Sequence, residues 1–183
     1  MRLRDFGLRN GINEVIVITK SEKLNTAPIG IIVENESSVF AKAKLFPSHT
    51  RSNLERGSFF VVNVVNDATL FALATFEDLG GDYFESLDPP ILKGALAFCE
   101  FEPKLEGSIV HLRLLRGKVL RNEVRAVNRG FNAVIEALIF ATRLKLNPNF
   151  AEKMRECYNV IERCGGEKER VAMEIIKEKT GIR

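Results

Sequence analysis

The chain has 183 residues, 45% of them hydrophobic and 28% charged, with a formal net charge of +3. That length suits one domain, or one domain with an appendage, and the apolar fraction excludes wholesale disorder. The 27 Lys and Arg and 24 Asp and Glu are scattered along the chain, which argues against a nucleic-acid partner, since such proteins cluster their basic residues.

Residues 14 to 122 read as strands punctuated by turns. Glu14-Val15-Ile16-Val17-Ile18-Thr19 is a continuous β-branched run, as in a well-buried strand. Ile29-Gly30-Ile31-Ile32-Val33 is a second run and ends at the polar turn Glu34-Asn35-Glu36-Ser37-Ser38. In Val39 to Leu45 the apolar residues alternate, placing Ala41, Ala43 and Leu45 on one face and Lys42 and Lys44 on the other. Ser58 to Val65 gives the strongest strand signal, and Ala95 to Phe101 and Ile109 to Leu115 follow it. Gly117 predicts a bend or bulge before Lys118-Val119-Leu120.

Two stretches interrupt this pattern. Asp67 is a plausible cap for a short helix reaching Phe76. Asp78 to Pro90 reads as a long acidic Gly/Pro loop, a length uncommon without a task such as covering a ligand. After residue 122 the period changes to helical. Asn128 caps a first helix with Phe131, Val134, Ile135, Leu138 and Ile139 on one face. Asn149 with Glu152 resembles a capping box for a second, bearing Phe150, Met154, Cys157, Tyr158 and Ile161. Gly165-Gly166 stops it, and a third helix from about Glu167 to Lys179 is expected to turn Val171, Ala172, Ile175 and Ile176 inward. The periods divide the chain into a strand-rich domain, 1–122, and a helical extension, 123–183.

The chemical inventory is thin. No apolar run reaches the roughly 20 residues of a membrane-spanning helix. The charged start Met1-Arg2-Leu3-Arg4-Asp5 lacks a signal-like apolar stretch, which predicts a cytoplasmic protein with no membrane role. Cys99, Cys157 and Cys164 are too few and scattered for a disulfide framework, and no metal site or catalytic residue is assigned. Cys99, His111 and a carboxylate on adjacent strands could hold zinc; a core Cys and a surface His are the simpler reading. No HExxH, CxxC, GxSxG or phosphate-loop motif is present.

Two turns are more suggestive. Phe46 to Leu54 gathers Ser48, His49, Thr50, Arg51 and Asn53 beside the strand bearing Lys44. Hydroxyls, a guanidinium and outward turn N–H groups are what a phosphate dianion needs, although an ordinary capped turn has the same composition. Asn25-Thr26-Ala27-Pro28 places small residues where a flat ligand could approach the backbone, or simply forms a β-turn.

In order and at these spacings, the pieces resemble the flavin-reductase-like FMN-binding split barrels. Asn25-Thr26-Ala27-Pro28 is similar to their N-x-A-P stretch, Ser48 to Leu54 to their S/D-x-T-x-x-N phosphate turn, and Gly57 to Val65 to their G-x-F-V-V-N-V strand. Asn128 to Leu138 is similar to the start of the helical extension of a group of short, mostly archaeal members. The resemblance implies a mainly β, overall α+β protein: a Greek-key split β-barrel with a C-terminal helical extension, forming a homodimer with FMN near the interface. It implies an FMN flavoprotein, an oxidoreductase of flavin-reductase type using a nicotinamide or other small-molecule electron donor. The alternatives are a non-catalytic FMN carrier or redox sensor, or a binding module for another phosphorylated ligand. Ser48, Thr50 and Asn53 would hold the phosphate with Arg51 and Lys44 adding charge, and backbone at Asn25, Thr26 and Ala27 would meet the ring. His49 shares this turn, departing from the acidic or basic residue usual there, and Asn63 would be structural or touch the partner's flavin.

Overall fold

A computed structural model describes residues 1–183, which divide into two units: 1–66 with 78–123, and 67–77 with 124–183. The first unit is a closed antiparallel barrel. Its strands are β1 (Gly11–Lys20), β2 (Leu24–Val33), β3 (Phe40–Lys44), β4 (Phe60–Val64), β7 (Ala97–Glu106) and β8 (Ile109–Val119). Their order around the barrel, β1-β2-β3-β8-β7-β4, is a Greek key, because the chain crosses from β3 to β4 through α1 (His49–Glu55). A separate hairpin pairs β5 (Phe84–Leu87) with β6 (Pro90–Leu92).

Alternation accounts for the core. Val15, Val17, Ile31, Ala41, Ala43, Phe60, Val62, Cys99, Phe101, Val110 and Leu112 point inward and are buried together. The Phe60 and Phe101 rings meet edge-on at 6.5 Å. Leu3, Phe6 and Leu8, from a short 3-10 turn at Leu3–Phe6 and the residues after it, join this core. Burial of Phe60 and its neighbours is worth about 1.5–3 kcal/mol for each large side chain.

The barrel differs from the sequence reading in three places. First, β2 begins at Leu24, so Asn25-Thr26-Ala27-Pro28 lies within a strand paired to β1 rather than in a turn. Second, the bulge falls before Gly117: Glu100 pairs with Arg116 and Phe101 with Leu114, leaving Leu115 as the extra residue. Gly117 itself answers to crowding, since a Cβ there would lie 2.8 Å from the Phe98 carbonyl oxygen and 2.9 Å from the Phe6 ring. Third, Asp78 to Pro90 is not one open loop. It contains a 3-10 turn at Gly81–Tyr83 and strand β5, and Asn63 docks the hairpin by donating to the Pro90 carbonyl and accepting from the Leu92 N–H.

The second unit packs α2 (Ala68–Phe76), α3 (Arg129–Ala141), α4 (Phe150–Cys164) and α5 (Glu167–Thr180). Residues 67–77, which the sequence pattern assigns to the strand-rich domain, belong here. Asp67 caps α2 by accepting from the Thr69 and Leu70 N–H groups, and its other oxygen meets Lys168 Nζ at 2.6 Å. Phe71 meets Phe131 edge-on at 5.9 Å. Asn128 caps α3, accepting from Gly130 and Phe131 N–H groups. The expected Asn149 capping box does not form. Asn149 is already helical, and its own N–H donates to the Asn147 side chain. Val171 is exposed and Met173 takes the inward position, a rotation that also buries Ala172, Ile176 and Glu169. Gly130 is fixed by contact: a Cβ there would stand 2.4 Å from Gly165 Cα.

Candidate functional site

The β2–β3 junction leaves a gap in the barrel. Their ladder holds only at Ile31–Ala43 and Ile32–Lys42, after which β3 departs toward α1. Strand β2 continues alone on that side down to Leu24 while remaining paired with β1 on the other. The Thr26 N–H donates to Asp78 Oδ1, so Thr26 faces away from β1. By the two-residue alternation of an antiparallel ladder, Pro28 faces the same open edge. A proline at an unpaired edge loses no ladder hydrogen bond, so the N-x-A-P sequence fits an edge where backbone acceptors outnumber donors.

Beside this edge the structure joins residues far apart in the chain. Asn25 Oδ1 accepts from Thr50 Oγ1 at 3.0 Å and from Thr19 Oγ1 at 3.3 Å. Asn53 Nδ2 donates to Thr19 Oγ1 at 3.0 Å. Asn25 Nδ2 donates to Asp78 Oδ1 at 2.8 Å, and the Leu79 N–H donates back to Thr26 Oγ1 at 2.9 Å. Lys23 Nζ lies 3.5 Å from Asp78 Oδ2. These bonds tie α1 to the start of β2 and leave Thr19, Thr26, Thr50 and Asn53 buried.

Of the residues expected to contact a ligand, Asn25, Thr50 and Asn53 therefore come together, with their side chains turned toward one another. Ala27 is half-buried opposite Val17 in β2. Ser48, His49 and Arg51 lie at the start of α1, and Lys44 ends β3 ahead of that turn. Ser48 caps α1 by accepting from the Arg51 N–H at 3.3 Å. The half-buried Arg51 guanidinium donates to Glu55 at 2.9 Å, and Lys44 Nζ sits 5.3 Å above the Phe46 ring. His49 is exposed as the first residue of α1. Asp78, Thr19 and Lys23 complete the network, and no sequence motif points to them. The acidic stretch opening at Asp78 is visible in the sequence, but nothing local to it indicates a bond to Asn25.

Two other features lie away from this corner. Cys99 points into the barrel while His111 lies on the outer face, 3.4 Å from Glu106, so they do not share a site. Burial pushes the Cys99 thiol up to about 12. An open cavity of about 610 Å³ crosses the outer face near Phe40, Pro103 and His111. Its charged groups pair among themselves and with neighbours, as Lys42–Glu34, Arg113–Glu102 and Lys104–Glu106. The hydrogen bond and charge of Lys104 hold the Glu106 carboxyl below its usual range, and Arg113 does the same for Glu102.

Two models of one family, each described as a protein of unknown function (DUF447), match residues 13–126 (its N-terminal domain) and 128–178. The chain belongs to the DUF447 family. A solved member, an FMN-bound protein from Methanosarcina mazei, is 36% identical, with a TM-score of 0.85 over 96% of this chain and 98% of its own. Looser likenesses are an FMN-binding protein from Thermus thermophilus, 15% identical with a TM-score of 0.47 over 62% of this chain and 74% of that one, and the styrene monooxygenase flavin reductase of Pseudomonas putida S12, 15% identical with a TM-score of 0.46 over 61% and 79%. No helix is long and apolar enough to cross a membrane.

Proposed function

We propose that this chain binds FMN at the corner between the open edge of β2 and the turn leading into α1, and works as an oxidoreductase of flavin-reductase type. The observation that carries the reading is membership of DUF447 together with 36% identity, over nearly the whole chain, to the FMN-bound protein of Methanosarcina mazei.

The residues at the corner suit that ligand. FMN joins a phosphate dianion to a flat ring whose edge carries donors and acceptors. The Ser48 hydroxyl, the Arg51 guanidinium and the Lys44 ammonium form a donor set of matching charge at one end. The open β2 edge offers the carbonyls of Thr26 and Pro28 at the other. When bound, FMN would supply one- and two-electron transfer chemistry. The chain's residues hold and orient it. Arg51 and Lys44 neutralise phosphate charge, Ser48 donates from its hydroxyl, and Thr50 and Asn53 keep α1 and β2 in register through Asn25 and Thr19 rather than reaching the ligand themselves. His49 borders the same turn, and backbone at Asn25 and Ala27 stays committed to β1, leaving ring recognition to Thr26 and Pro28.

A second copy of the chain belongs to the reading. Ile12 and Phe40 are 69% and 62% exposed on the outer face that also carries Ile32, a surface that a homodimer would cover. Sedimentation velocity is expected to give a dimer, and a monomer at all concentrations would remove the second copy. For the chemistry, anaerobic addition of NADH or NADPH to the FMN-loaded protein is expected to bleach the flavin. Bound flavin that neither nucleotide reduces would leave a carrier or sensor.

A further inference from the structure

Asp78 is the only carboxylate in the network behind the FMN corner. One of its oxygens accepts two hydrogen bonds, from Asn25 Nδ2 at 2.8 Å and from the Thr26 N–H at 3.1 Å. The next residue returns a bond, Leu79 N–H to Thr26 Oγ1 at 2.9 Å. Two consecutive residues of the segment after α2 thus clasp two consecutive residues of β2, at the edge where no neighbouring strand holds that strand.

The carboxylate also fixes a direction. An ionised carboxyl only accepts, so the Asn25 amide must present its NH₂ to Asp78 and its oxygen to Thr50 and Thr19. Thr19 in turn accepts from Asn53. With the amide reversed, its oxygen would face a carboxylate oxygen and its NH₂ would compete with Asn53 for the Thr19 hydroxyl. The chain of bonds from Asp78 through Asn25 to Thr50 is therefore polarised from one end.

We propose that Asp78 is a positioning residue for the flavin: it sets the Asn25 amide and the Thr26 backbone, and so fixes the β2 edge against α1. This rests on the FMN reading above and extends it to a residue outside the resembling motifs. Asp78 acts through its acceptor geometry, because Asn25 and Thr26 both need an oxygen at that point and Lys23, which neutralises the other oxygen, is itself mostly exposed.

The test compares wild type, Asp78→Ala and Asp78→Asn by FMN fluorescence titration and by visible circular dichroism of the bound flavin. Asp78→Ala removes the acceptor of both hydrogen bonds and is expected to weaken FMN binding about tenfold and to alter the flavin dichroism. Asp78→Asn keeps an acceptor oxygen and is expected to stay within about threefold of wild type. Where Asp78→Ala does not fold, Asp78→Glu displaces the acceptor by a methylene and is expected to bind FMN more weakly than Asp78→Asn. Wild-type affinity and dichroism in Asp78→Ala, or no recovery in Asp78→Asn, would overturn the role of Asp78 while leaving FMN binding intact. A wild-type protein that takes up no FMN would overturn both.

Discussion

The barrel interior and the β2–α1 corner lie in the same unit and are both buried, yet they are held by opposite means. Inside the barrel, Val17, Phe60, Val62, Phe101 and Leu112 exclude water and need no specific partner. At the corner, Thr19, Thr50 and Asn53 are 0%, 2% and 5% exposed, and each polar group requires a partner of the right sense. Apolar burial is non-directional and tolerates small shifts, whereas a buried hydrogen-bond chain fixes positions to within fractions of an ångström. A protein that must hold both ends of a cofactor has reason to use the second kind of interior there.

Mutations can break this contrast. The largest effect is expected from Phe60→Ala, which leaves a cavity in the barrel and should lower stability by about 3–5 kcal/mol in chemical denaturation. Arg51→Ala should leave stability within about 0.5 kcal/mol of wild type, because its ion pair with Glu55 is a surface one. Its FMN affinity should fall by about 1.5–3 kcal/mol, read by fluorescence titration, if the guanidinium meets the phosphate. Asn53→Ala should cost about 1–3 kcal/mol of stability, since Thr19 loses its donor in a buried place. Thus Phe60→Ala tests packing alone, Arg51→Ala binding alone, and Asn53→Ala both. Equal losses of stability from Asn53→Ala and Phe60→Ala would dissolve the distinction.

The last effect concerns pH. The buried Cys99 thiol is raised from 9.0 to about 12, so between those values the unfolded chain releases a proton that the folded one keeps. Stability must therefore decline as pH rises above about 9, by about 1.4 kcal/mol per pH unit from this group. Comparing alkaline melting curves of wild type and Cys99→Val isolates that share, and parallel curves would show that the thiol ionises freely when folded.

The same contrast explains what is legible in the sequence. Alternation in Val39 to Leu45 is enough to place Ala41, Ala43 and Leu45 inside, because a two-residue period is local information. The caps at Asp67 and Asn128 are legible for the same reason, each bonding N–H groups two and three residues ahead. The corner is legible only as residue types. That Thr50 and Asn53 turn inward depends on Asn25 and Thr19, and these depend on Asp78, which lies 53 positions from Asn25. The grouping of 67–77 with 124–183 is not legible in the sequence, because the segment's own helical signal carries no record of which unit supplies its neighbours. Val171 and Met173 exchange places because the apolar residues of α5 admit two rotations, and packing decides between them.

The central claim is that this chain holds FMN. The most direct test is to incubate the purified protein with excess FMN, remove free flavin by gel filtration and record the visible spectrum of the protein peak. Flavin bands near roughly 370 and 450 nm, eluting with the protein in stoichiometric amount and lost selectively in Arg51→Ala, are the predicted result. A colourless protein peak from a folded wild-type sample would contradict the account.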